Sequence, residues 1–248
     1  MEEGIFKFSN LSKFGEIIHG VSERSYGDMR FGRIERKETV KNRQSFFSDL
    51  GIDTNQVVVA NLCHKARVVV IGEEEKGKGS LKPESAIYQT DGLITAEKDV
   101  YLMVTVFDCL PVLAYDPVSQ IVMIIHAGWR GIIDKIIPQG LEKIHNFGSD
   151  LQNIVVGIGP GICQRHFVVK TDVLDKFVDL YPSASFIRNH NGYVDLRKAI
   201  LTDLNKAGVP KFNIEVSDIC PMCLNGLYGS YRKEGESAPA SAAVIGMR

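Results

Sequence analysis

The stretch VFDCLPVLAYDPVSQIVMIIHAG, residues 106–128, decides how this chain is organised. Two runs of apolar and β-branched residues flank Asp116-Pro117-Val118-Ser119, and Asp at the first and Pro at the second position specify a type I turn. The pattern predicts a β-hairpin. With Asp116 paired to Ser119, facing residue numbers sum to 235 and Cys109 falls opposite His126, which puts their Cβ atoms about 5 Å apart. A thiolate and an imidazole at that separation can share one metal ion. Pro111 cannot donate a ladder hydrogen bond, and a one-residue bulge at the turn would separate the pair. Asp108 points to the opposite face of a regular strand from Cys109, which gives it a supporting role.

The hairpin ends in HAGWRG, residues 126–131, where the chain turns through Gly128 and Gly131 around its only tryptophan. Trp129 and Arg130 at a helix start suit anion binding, or else a packing indole beside a solvated guanidinium. Further out, short apolar runs recur at QVVVANL, ARVVVIG, VYLMVTV, QIVMIIH, NIVVGIG, IEVSDI and AAVIGM, and read as strands. Helical spacing appears over 131–147, in KTDVLDKFVDLY and in DLRKAILTDLNKAG, the last with Asp195 as N-cap and Gly208 past its end. Strands outnumber helices and often follow one another directly, which predicts an α+β fold with a mixed sheet. The segments 72–85 and 232–242, rich in charge and small residues, read as mobile loops within one domain over 1–248.

Length and composition fit an ordinary globular chain: 248 residues, 44% hydrophobic and 24% charged. A net charge of -1 provides no long-range field for nucleic acid or an anionic membrane, so a small-molecule partner is expected. Neither a signal peptide nor an apolar stretch of membrane-spanning length is evident, which makes the expected location cytoplasmic. Five cysteines in a reducing compartment should be thiols or metal ligands.

A third ligand could come from NLCHKARVVV, where Cys63 and His64 end one strand-like run before another begins. Two histidines and one cysteine leave a fourth position open, as catalytic zinc sites do. The metal-free alternative is a Cys109/His126 nucleophile pair for acyl transfer. Cys220 and Cys223, in CPMC, resemble a redox or zinc half-site, but no second pair is suitably spaced, so they read as structural. Cys163, after the Gly159-Pro160-Gly161 turn, reads as a buried inert thiol rather than a pocket-lining one.

TDGLIT at 90–95, FDCLPVLAYD at 107–116, HAGWRG at 126–131, GIGPGI at 157–162 and GSYRKEG at 229–235 come in one fixed order, and HGVSERSYG stands at 19–27. Together these motifs resemble the laccase-domain, or multicopper polyphenol oxidase, family, whose members are also described as zinc-dependent purine nucleoside phosphorylases and, in bacteria, as peptidoglycan editing factor. The resemblance implies a single-domain α/β sandwich with flanking helices, and His64, Cys109 and His126 as metal ligands, with Cys109 and His126 at the catalytic centre. It implies phosphorolysis of adenosine, inosine or methylthioadenosine to free base and ribose 1-phosphate, with adenosine deaminase activity on the same zinc. Copper-dependent phenol oxidation is the older description. The chain departs from the family pattern at Leu62, Cys63 and Lys65 around His64, at Phe107, and over SAPAS at 237–241.

Phosphorolysis needs an oxyanion held beside the ribose. The candidate donors are Arg130, Arg24 and the amides of Gly159 and Gly161, because guanidinium forks and turn amides suit phosphate. Asp91 is a candidate base, and Tyr231 and Arg232 are candidates to close over a purine. The rivals are a copper phenol oxidase, for which six histidines are few, a metal-free cysteine hydrolase, and a non-enzymatic binding protein stabilised by zinc. The expected partners are a nucleoside and phosphate.

Overall fold

A computed structural model describes residues 4–248. All eight runs read as strands from their β-branched, apolar composition form strands, and they build two mixed sheets. One sheet contains Ile5–Phe6 (β1), Ile17–Ser22 (β2), Val57–Val59 (β3), Val100–Val106 (β6) and Ser241–Met247 (β14), in the order β1-β2-β14-β6-β3. The other contains Val68–Val70 (β4), Gly92–Thr95 (β5), Leu110–Asp116 (β7), Ile121–Ala127 (β8), Val155–Ile158 (β9) and Ile214–Val216 (β13), in the order β13-β9-β7-β8-β5-β4. Val168–Val169 (β10), Ser185–Arg188 (β11) and Asn191–Val194 (β12) make a small antiparallel third sheet. Parallel pairs (β3 with β6, β4 with β5, β9 with β13) sit among antiparallel ones, as the α+β reading expects.

The central hairpin is buried on both faces, which is why β7 and β8 are almost continuously apolar rather than alternating. Leu113, Tyr115, Val122 and Ile124 face the other sheet and pack on Leu102, Val104, Ala243 and Ile245. The intervening Val112, Ala114, Ile121, Met123 and Ile125 face outward, toward helices. Those helices are Trp129–Ile133 (α2), Ile136–Asn146 (α3), Thr171–Leu180 (α4) and Leu196–Lys206 (α5), which contribute Ile132, Ile136, Ile137, Leu141, Ile144, Phe177 and Ile200 to the same core. On the far side, Arg36–Asp49 (α1) covers the first sheet with Phe46 and Phe47 against Val57, Tyr101 and Val244. Each phenylalanine so buried stabilises by roughly 1.5–3 kcal/mol. The result is a sandwich with a helical layer on each side.

Two helical expectations hold. α4 matches KTDVLDKFVDLY, and α5 starts where Asp195 accepts a hydrogen bond from the Lys198 amide at 3.0 Å and ends before Gly208, whose φ is +89°. The segment 131–147 differs, because it is two helices broken at Lys135, which adopts a left-handed φ of 65°. Pro138 falls in the first turn of α3, where its missing N–H costs nothing. The segments read as mobile are tied down: Ser80, Ala238 and Ala240 are buried, and the buried Arg43 guanidinium donates to the Gly79 and Ser80 carbonyls at 2.7 and 2.8 Å. The four-residue α6 (Tyr231–Glu234) lies at the start of the second of them. Among the described residues, no helix is long and apolar enough to cross a membrane.

His19 on β2 is 3% exposed and accepts the Phe8 amide proton through Nε2 at 2.9 Å. Burial, helped by Lys7, lowers its pKa to about 4. An unfolded histidine titrates near 6.5, so between those values the unfolded chain holds more protons and stability falls as pH drops. Urea titrations should show about 3 kcal/mol of stability present above pH 6.5 and lost by pH 4, a loss absent from His19→Gln; identical pH profiles for the two proteins would contradict this.

Candidate functional site

The hairpin that carries Cys109 and His126 forms with a longer loop than the turn residues suggested. Asp116 pairs with Ile121 and Pro111 with His126, so facing numbers sum to 237 rather than 235. Asp116 Oδ1 accepts the Val118 and Ser119 amides at 2.9 and 3.3 Å, and Gln120 closes the loop at a left-handed φ of 52°. The predicted Cys109–His126 cross-strand pair is thereby corrected: Cys109 lies diagonally across, at the level of Gly128. A shift of two positions keeps a side chain on its own face, whereas a shift of one would have moved it to the other. Cys109 and His126 therefore still meet: a Cβ built on Gly128 would lie 3.0 Å from Cys109 Sγ, 3.4 Å from His126 Cε1 and 3.9 Å from His126 Nε2. That crowding explains Gly128, and Gly131 is explained by the Lys65 carbonyl, 2.9 Å from where its Cβ would stand.

Asp91, just before β5, organises the site. It is fully buried and lies across the ladder from His126, whose amide donates to the Asp91 carbonyl at 2.7 Å. One carboxylate oxygen, Oδ1, meets His126 Nδ1 at 3.1 Å and the His64 amide at 2.9 Å. Oδ2 takes the amides of Cys63 and Lys65 at 3.2 and 3.0 Å and the Cys63 thiol at 3.0 Å. Burial alone would raise its pKa; the bonds from His126, Cys63 and Lys65 outweigh that and lower it to about 2. The ionised carboxylate holds the 62–65 loop in a conformation in which His64 has a φ of 58°, uncommon for a residue with a side chain. It also takes the Cys63 thiol, whose pKa burial and Asp91 together raise.

The His64 and His126 rings meet edge to face at 4.9 Å between centroids. Burial, and then the neighbouring His126, lower the His64 pKa, which favours a neutral ring with a free lone pair. Burial also disfavours charge on His126, but Cys109 and Asp91 outweigh it and raise that pKa to about 9. A thiol and a carboxylate thus select positive charge at His126, and a metal ion at Nε2 would supply it while Nδ1 stays on Asp91, the usual carboxylate–histidine–metal relay. The donor set of His64, Cys109 and His126 fits a zinc-type ion.

These three side chains line one cavity of about 410 Å³ together with Phe31, Asn61, Leu62, Thr105 and Phe107, and with Arg30 and Arg43 on its wall. Arg30 lies 4.7 Å over the Phe107 ring, and its Nε and Nη2 are buried without a hydrogen-bond partner. Nothing in the local pattern MRFGR, 29–33, sets Arg30 apart in the sequence; only the fold brings it to Phe107.

The other sequence candidates are placed differently. Arg130 is exposed and stacks 4.3 Å over Trp129, outside the cavity lining. Arg24 is paired with Glu234 at 2.7 Å. The amides proposed as an oxyanion cradle are already used: Gly159 donates to the Pro111 carbonyl at 2.8 Å and Gly161 to the Ile219 carbonyl at 3.1 Å. Asp91, the candidate base, sits behind His126 and is not among the residues that line the cavity. Tyr231 reaches Phe107, with centroids 6.4 Å apart, and Arg232 donates to the Val168 carbonyl at 2.8 Å. Asp108 has the supporting role expected of it, accepting from the Ser230 hydroxyl at 2.8 Å and the Arg232 amide at 2.7 Å.

A second group of potential ligands also comes together. Cys163, His166, Cys220 and Cys223 have ligand atoms all within 4.8 Å of one another and could hold a metal ion. The second pair for CPMC is a Cys-x-x-His on another loop, and Cys163, expected to be a buried inert thiol, is half-buried and stands among three other potential ligands.

A two-sheet α/β sandwich with a His/Cys/His constellation at the strand ends defines the class. The chain belongs to the family described as multi-copper polyphenol oxidoreductase laccase, whose model matches residues 14–248. It is 30% identical over 240 residues to the purine nucleoside phosphorylase YlmD of Bacillus subtilis, spanning 92% of this chain and 85% of that one. It is 31% identical over 198 residues to adenosine deaminase RL5 from an unknown prokaryotic organism, spanning 78% and 76%. The same fold is seen in the crystal structure of YlmD from Geobacillus stearothermophilus, with a TM-score of 0.94 at 24% identity over 100% of this chain and 97% of that one. It is seen again in YfiH of Bacillus licheniformis, with a TM-score of 0.90 at 26% identity over 94% and 93%.

Asp91→Ala removes an ionised acceptor from three amides and an imidazole. Each charge-assisted bond contributes about 1.5–3 kcal/mol, so chemical denaturation should show a loss of at least about 3 kcal/mol. A loss below about 1 kcal/mol would mean that the 62–65 loop does not depend on the carboxylate.

Proposed function

We propose that the chain is a zinc-dependent purine nucleoside phosphorylase with adenosine deaminase activity. The observation that carries this reading is the convergence, in one largely apolar cavity, of His64, Cys109 and His126 with the unpartnered Arg30 guanidinium. The names of the relatives from Bacillus subtilis and the unknown prokaryote agree with both halves of it. A volume of about 410 Å³ is in the range of small-molecule sites.

Within this reading His64, Cys109 and His126 hold zinc, and a bound zinc would supply Lewis acidity and an acidified water suited to deamination. Asp91 keeps the proton of His126 on Nδ1 and so reserves Nε2 as the donor atom. Phe31, Leu62 and Phe107 exclude water and receive the flat purine. Arg30, on the cavity wall, supplies the guanidinium charge that draws phosphate toward the ribose. A phosphate oxygen bonds to C1′ as the C1′–N9 bond breaks, and the proton of hydrogen phosphate passes to the departing base, giving free base and ribose 1-phosphate. Arg30 lines the cavity together with His64, Cys109 and His126, whereas Arg130 lies outside that lining and Arg24 is paired with Glu234.

The test is an assay of zinc-loaded protein with adenosine and with inosine, each with and without phosphate. The expected result is phosphate-dependent base release, with Cys109→Ala losing both activity and the cavity's zinc. Arg30→Met should raise KM for phosphate about tenfold or more and affect deamination less. Neither base release nor inosine formation from adenosine, with zinc bound at the cavity, would overturn the reading.

A further inference from the structure

We propose a second metal site, a closed structural zinc held by Cys163, His166, Cys220 and Cys223, separate from the cavity and independent of the catalytic reading. Two short turns supply it. In CQRH, after β9, the His166 and Phe167 amides both donate to the Cys163 carbonyl at 3.0 Å. In CPMC, after β13, the Leu224 amide donates to the Cys220 carbonyl at 2.9 Å. Each turn presents its two ligands three residues apart, the spacing of zinc knuckles. The parallel pairing of β9 with β13 brings the turns together, and the Gly161 amide bonds the Ile219 carbonyl at 3.1 Å.

The distances suit a tetrahedral ion, with all four ligand atoms within 4.8 Å of one another. His166 Nδ1 lies 3.3 Å from Cys163 Sγ, 3.7 Å from Cys220 Sγ and 3.4 Å from Cys223 Sγ. A zinc with bonds of about 2.3 Å to sulfur and 2.0–2.1 Å to nitrogen requires sulfur–nitrogen edges of about 3.6 Å. Three thiolates around Zn²⁺ leave negative charge, and positive partners are in place. The Cys163 amide points at Cys220 Sγ at 3.3 Å, Arg165 Nη2 lies 4.0 Å from Cys223 Sγ, and Arg197 clamps the Gly161, Ile162, Ser217 and Ile219 carbonyls at 2.6–3.2 Å. Four protein ligands fill the coordination shell, so this ion would be structural rather than catalytic. Its task is to lock the two turns. The Ile162 amide donates to the Asp108 carbonyl at 2.8 Å, and Arg232 Nη1 donates to the His166 carbonyl at 3.3 Å. The ion therefore braces the Asp108–Cys109 corner and the Tyr231–Arg232 rim of the cavity.

Native mass spectrometry and cobalt(II) spectroscopy of reduced, zinc- or cobalt-reconstituted protein test this. Cys109→Ala, in which the cavity set is broken, should keep one tightly bound zinc and, with cobalt, show intense thiolate-to-metal charge-transfer bands and tetrahedral ligand-field bands. Adding Cys223→Ser, at an exposed position where packing is not at stake, should remove that zinc, weaken the thiolate bands and lower the melting temperature by more than about 5 °C. Adding His166→Ala instead should do the same with all three thiols intact. A Cys109→Ala protein carrying neither zinc nor thiolate–cobalt bands would overturn the proposal, as would bands indifferent to Cys223→Ser.

Discussion

The cavity depends on one carboxylate. Asp91 is removed from water by the sandwich yet remains ionised, because three amides, a thiol and an imidazole surround its two oxygens. An isolated buried carboxylate would be too costly to keep charged, so the surrounding donors are a condition of the fold. In return the carboxylate fixes both histidines, His64 through its backbone and His126 through its ring. The left-handed backbone of His64 persists because Asp91 holds the amides on both sides of it, so local strain and the placement of the two histidines have one cause.

The hairpin supplies the rest by parity. β7 and β8 send alternate residues to the opposite sheet and to the helices, and Cys109, His126 and Asp91 share the face that Leu113, Ile124 and Leu93 occupy. The strands run on into a site rather than stopping at one. Gly128 and Gly131 let Cys109 and the Lys65 backbone approach the chain that leaves the hairpin, which is why glycines flank Trp129-Arg130.

What the sequence made legible follows the same physics. Doubly buried strands announce themselves as β-branched runs, and α5 carries an explicit N-cap and a terminal glycine. The long helix α1 carries no apolar stripe in the sequence, because only Thr39, Arg43, Phe46 and Phe47 are buried within a charged segment. The hairpin register differs by two from the one the turn residues imply, since they fix where a loop begins but not how many residues it spends before the ladder resumes. Parity rescued the Cys109–His126 encounter. Arg30 and the Cys163/His166 half of the second ligand cluster could not be read from spacing, because tertiary contacts far apart in the chain bring them to their places. Conversely, the turn amides of Gly159 and Gly161 looked free in the sequence and are used by the neighbouring backbone.

Anomalous diffraction at the zinc edge, from crystals of zinc-loaded protein, locates the metal directly. The expected result is a peak shared by His64, Cys109 and His126, with His126 Nδ1 still on Asp91. Zinc-saturated crystals with no density there, or with His126 turned so that Asp91 faces its other nitrogen, would contradict it.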